Sequence, residues 1–169
     1  MYKDFKKFTE IFCIYFSKLT TNERFAKVRE AVLITRLEFL CHKKGISLAE
    51  FFYKLENKEE IIKTKSNITT ITDARICFIV LSMIGREKNI SDYRICEIYN
   101  WDRPNYSHEK SKALDGRRKT FSLIKLYQIL YVLEVPFSTF FQRCDEYIEK
   151  EKNQKKRKKR KKPNSNTNP

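Results

Sequence analysis

Leu114-Asp115-Gly116-Arg117-Arg118 closes a short polar segment, and an apolar stretch, Phe121 through Leu133, follows it. The stretch stops at Glu134-Val135-Pro136 and restarts as Phe137-Ser138-Thr139-Phe140-Phe141. Apolar residues recurring at three and four predict a core helix over 121–134, ended by the proline. Gly116 can take a positive φ and so turn the chain after a helix over 105–115. The parts therefore run short polar helix, glycine, basic pair, core helix, proline stop and aromatic closing turn.

Upstream the same periodicity continues. Phe5, Phe8, Phe12, Tyr15, Phe16 and Leu19 make one aromatic helix face. Phe25, Val28, Val32, Leu33, Leu37 and Leu40 make a second, which ends at Lys43-Lys44-Gly45 with cations in the last turn and glycine beyond. Ser47 caps a helix over Leu48–Leu55, with Glu50 at the third position of a capping box. A short helix over Lys58–Lys65 and a loop at 66–70 precede a strong apolar helix from about Thr72 to Arg86. Ser91 caps the next, to about Tyr99; Asp102 caps another, with Pro104 in its first turn. His42–Ser47 and Arg86–Ser91 echo each other, each ending a helix, turning and capping the next. The echo fits either a degenerate second module or the ordinary grammar of a helical bundle.

The chain has 169 residues, 13 Phe and 9 Tyr, ample material for a core, and its 3 Gly and 4 Pro are too few for an all-β fold with many tight turns. The net charge of +15 favours a polyanionic partner. About half of it lies in one run of eight cations: Lys155, Lys156, Arg157 and Lys158, then Lys159, Arg160, Lys161 and Lys162. Such a block predicts a disordered tail over 151–169 that binds nucleic acid without sequence preference. The same run also suits a nuclear address or an acidic membrane face. The five cysteines, Cys13, Cys41, Cys77, Cys96 and Cys144, are odd in number, widely spaced and without a CxxC, which argues against a disulfide framework or zinc site and for a reducing compartment. No stretch is long and apolar enough to predict a membrane span.

The segment 105–115 carries the functional reading. A helix that enters the major groove must be short, polar outside and anchored by a few apolar residues inside. Asn105, Ser107, His108, Lys110, Ser111 and Lys112 supply the polar face; Tyr106, Ala113 and Leu114 are the expected anchors. Asn matches adenine, Lys matches guanine, and Ser serves either. Arg103 precedes this face, and Arg117, Arg118 and Lys119 follow it where phosphates should be met. Tyr106 is counted with the DNA-contacting group, although Tyr106 and Trp101 also suit a core cap. The plain alternative for the whole segment is a solvated surface helix.

Over about residues 74–143 the chain resembles the lambda-repressor/Cro-like (Xre-type) helix-turn-helix DNA-binding family. Ile90-Ser91 resembles the opening of its second helix. Ser111-Lys112-Ala113-Leu114-Asp115-Gly116-Arg117-Arg118 resembles the end of its recognition helix. Phe121 to Val135 resembles its fourth helix, and Pro136 to Phe141 its closing turn. The sequence departs from the family at Trp101-Asp102-Arg103-Pro104, which lengthens the stretch before Gly116, and in lacking a tight glycine at the turn. The resemblance implies a non-catalytic regulator of transcription, of bacterial or phage origin and cytoplasmic, or nuclear if eukaryotic.

No nucleotide loop, zinc-protease helix or nucleophile elbow occurs, and the two histidines, His42 and His108, have no neighbour placed for catalysis. The sequence thus predicts an all-α bundle of about eight helices. Its parts are an N-terminal helical region over 1–70 (a degenerate copy or a dimerisation region), a DNA-binding domain over 71–150 and the basic tail. No catalytic residue, metal or cofactor is expected. The expected partner is double-stranded DNA, read by a monomer or a homodimer. The alternatives are an antitoxin-like bundle that binds a toxin or regulator protein, and an RNA-binding accessory protein that uses its tail.

Overall fold

The computed structural model describes residues 34–57, 59, 72–118 and 120–160. These residues form seven helices: α1 (Ile34–Lys44), α2 (Leu48–Asn57), α3 (Ala74–Glu87), α4 (Asp92–Ile98), α5 (Arg103–Leu114), α6 (Leu123–Leu133) and α7 (Phe137–Arg160). The chain is all-α over this range. The aromatic helix expected at 5–19, the first half of the one that follows, the helix at 58–65, Cys13, Lys119, Lys161, Lys162 and the segment 163–169 lie outside the described residues.

One local grammar sets nearly every boundary. Ser47, Asp73, Ser91, Asp102 and Ser122 each accept a hydrogen bond on the side-chain oxygen from the backbone N–H three residues on. Each satisfies one of the donors that a helix start leaves unpaired. The other ends match. Gly45, Asn89, Asn100, Gly116 and Glu134 all take positive φ, and the residue after each donates back across the last turn, as Ile90 does to Gly85 and Arg117 to Lys112, both at 2.8 Å. That is the left-handed helix stop, favoured by Gly and tolerated by Asn. α7 is capped from a distance: the Glu56 carboxylate of α2 accepts from both the N–H and the hydroxyl of Ser138.

The core is continuous from α1 to α7 and aromatic at its centre. Phe52 of α2 stacks on Phe137 and Phe141 of α7, with ring centroids 4.5 and 5.1 Å apart. Phe78 of α3 meets Phe121 and Tyr106 edge-on. Two ion pairs bind α7 along α3: Arg143 with Glu87 at 2.5 Å and Arg75 with Glu151 at 2.6 Å. Backbone joins the halves as well, the Ile34 N–H donating to the Phe121 carbonyl at 3.2 Å. Cys41, Cys77, Cys96 and Cys144 are buried free thiols, acting as small apolar side chains.

The basic tail departs from expectation. Disorder over 151–169 is corrected for 151–160, which continue α7 as helix to Arg160. The cause is that a docked helix has already met its nucleation cost, so good helix formers such as Lys, Arg, Gln and Glu simply propagate it. Glu151 supports Lys155 one turn on, at 3.3 Å, and cations suit the negative end of the helix dipole. Among the described residues no single helix is long and apolar enough to cross a membrane.

Candidate nucleic-acid interface

α4 and α5 are joined by Tyr99-Asn100-Trp101-Asp102, with Asn100 in the left-handed region and Asp102 capping α5. The lengthened turn seen in the sequence is partly helix: Arg103 and Pro104 form the first turn of α5. The glycine missing from the turn is replaced by Asn100, whose short polar side chain tolerates that conformation.

α5 is inserted by two residues. Tyr106 is 4% exposed, stacked on Trp101 at 5.8 Å and set against Phe78. Ala113, two turns on, is fully buried and allows close packing. Tyr106 is therefore corrected from a DNA contact to an anchor. Burial pushes its hydroxyl well above the ordinary phenol range, with Asp92 adding to the shift by charge and hydrogen bond. Leu114, expected as an anchor, is instead 41% exposed at the helix end.

Opposite these anchors lies a polar face. At 3.6 residues per turn, Ser107, His108 and Ser111 fall on the far side of the helix from Tyr106 and Ala113, flanked by Asn105 and Lys112. All five are exposed. Arg103 is exposed too, with its guanidinium stacked 3.6 Å from the Tyr93 ring centroid, which joins the first turns of α5 and α4.

Lys110, Arg117 and Arg118 are engaged within the fold. Lys110 is bound to Asp92 of α4 at 2.5 Å, which takes it off the outward face. Arg117 pairs with Asp115 at 2.5 Å, but both are largely exposed, so the pair is weak and exchangeable. Arg118 reaches Glu109 at 3.3 Å and donates through Nε to the Thr120 carbonyl. Lys125 of α6 binds the same Glu109 and lies 5.0 Å from the Trp101 ring centroid. Partial burial raises the Glu109 carboxyl, but Lys125 and Arg118 outweigh it and hold it below the ordinary range. Glu109 thus clasps the inner flank of α5 to α6 and to the basic loop.

Sequence reasoning had missed Asp92, Tyr93, Glu109 and Lys125. Their partners sit 9 to 18 residues away in sequence, and no local spacing signals them. Among the described residues no three His, Cys, Asp or Glu side chains come together as metal ligands. No protein-family model matches the chain, and no curated protein and no solved structure does either.

Proposed function

We propose that the protein is a sequence-specific DNA-binding regulator of transcription, of the helix-turn-helix kind, that lays α5 in the major groove. The observation that carries the reading is the two-sidedness of α5: Tyr106 and Ala113 are buried, while Asn105, Ser107, His108, Ser111 and Lys112 stand exposed on the outer side. A polar helix with no role beyond solvation does not need α4, α6 and a basic loop clamped to both flanks. The resemblance noted over 74–143 supports the same reading.

Asn105 and Lys112 then read base edges, with Ser107, His108 and Ser111 between them. Arg117 and Arg118 meet phosphates and fix the register, exchanging Asp115 and Glu109 for DNA oxygens. The basic end of α7 adds attraction that grows as salt falls. Occupancy of an operator excludes or recruits the transcription machinery.

The experiment is selection from a pool of random duplex DNA by the full chain, at about 0.15 M salt with excess competitor to suppress nonspecific binding. An enriched motif that Lys112→Ala or Arg118→Ala weakens supports the reading. Uniform recovery of all sequences rejects it.

A further inference from the structure

α7 leaves the bundle at a defined point. Among the described residues, Ile148 is its last buried side chain, and Glu151, held by Arg75, is its last tie to another helix. Every residue from Lys152 to Arg157 is exposed. At 1.5 Å per residue, the helix from 152 to 160 projects roughly 14 Å beyond that tie.

The chemistry of this projection is uniform. The sequence Lys152-Asn153-Gln154-Lys155-Lys156-Arg157 contains no apolar side chain. At 3.6 residues per turn its four cations alone span more than half of the helix circumference. A helix that lies on a membrane needs an apolar face to bury, and this one has none. A flat anionic surface would engage one side and leave the others repelling. A groove walled by phosphates on two sides engages them together, and the major groove of duplex DNA admits an α-helix.

Its position matters as well. Arg75 holds the root of the projection at the first turn of α3. One turn further along α3, Phe78 packs on Tyr106 of α5. The projection therefore springs from the end of α3 that also seats the first half of α5.

We propose that 152–160 is a preformed cationic helical arm that seats in a groove of duplex nucleic acid, as a second contact element carried on the same rigid body as α5. That the groove is one of duplex DNA rests in part on the reading of α5, whereas the charge and shape of the arm are independent of it.

The test compares the full chain with Gln154→Pro and Gln154→Ala. Proline removes a backbone donor and clashes with the carbonyl four residues back, but leaves every charge in place. Binding is measured on a single nonspecific duplex over a range of salt, and on phosphatidylserine vesicles. Thermal melting of each variant checks that the bundle is intact. The expected result is that the proline variant binds duplex about tenfold more weakly than the alanine variant, with a salt slope shallower by about 2. Equal binding of the two variants would overturn the proposal, because charge on a flexible tail would then suffice. Arm-dependent binding to vesicles in preference to duplex would also overturn it. Failure of the α5 reading is separable: it shows as absence of a motif in the random-duplex selection and leaves the proline-to-alanine ratio on the nonspecific duplex unchanged.

Discussion

Lys110 Nζ lies 2.5 Å from Asp92 Oδ2, tying the middle of α5 to the first turn of α4. The side chain that looks in sequence like a base reader is therefore spent on holding two helices together. Lys110→Met is expected to cost about 1 kcal/mol or less, because Asp92 is partly solvated. It should leave base preference unaltered. Chemical unfolding and duplex selection on the same protein check both halves, and a changed base preference would return Lys110 to the reading face.

Tyr106 is the wedge that fixes α5. Tyr106→Ala should cost about 3–5 kcal/mol, the range for removing a buried ring. Tyr106→Phe keeps the stacking on Trp101 and loses only the hydroxyl that faces Asp92, a cost of about 1 kcal/mol. Urea unfolding separates the two. Equal losses would mean that the hydroxyl, not the ring, holds the helix.

Gly85 sits inside α3, where glycine ordinarily weakens a helix. A Cβ there would stand 2.8 Å from the Ile90 carbonyl oxygen, and that oxygen is backbone and cannot swing away. Gly85→Ala should destabilise the fold by about 2 kcal/mol despite a helix-propensity gain of about 1 kcal/mol. Gly116→Ala has to adopt the positive φ of 73° and should cost about 1 kcal/mol for that alone. Thermal melts rank the two, and a neutral Gly85→Ala would contradict the close crossing.

Glu38 makes stability depend on pH. Burial raises its carboxyl to about 7, against the pull of two hydrogen bonds from the Thr72 N–H, and Asp145 and Asp73 push it the same way. The folded protein thus holds this proton more tightly than the unfolded chain does. The stabilisation is full below the ordinary carboxylate value of 4.5 and is lost as pH rises through about 7, about 3 kcal/mol in all. Glu38→Gln should flatten the unfolding free energy between pH 5 and 8 relative to the parent. Parallel curves would show that Glu38 is ionised throughout.

What could be read from the sequence was local. Ser47, Ser91 and Asp102 announce helix starts because a short polar side chain before an apolar periodic run has one cheap use. Gly45 and Gly116 announce helix ends for the matching reason. Glu134 gave no such sign: a charged residue takes the left-handed position because Pro136 forbids the helix to continue. The stacking of Phe52 on Phe137 and the Glu109 clasp depend on residues far apart in sequence, which periodicity cannot pair. The cationic end of α7 was misjudged because charge repulsion was weighed alone, without the docked helix it extends. On α5, the pattern identified the outward residues but not which of its cations, such as Lys110, were already engaged inside the fold.

The most direct test of the account is the base preference of α5 itself, determined by selecting duplexes with Asn105→Ala, Lys112→Ala and Lys110→Met beside the parent chain. The account predicts that Asn105→Ala and Lys112→Ala each relax preference at a different base pair, by about 1–3 kcal/mol, and that Lys110→Met relaxes none. A motif indifferent to both Asn105 and Lys112, or no motif at all, would contradict the placement of α5 in the groove.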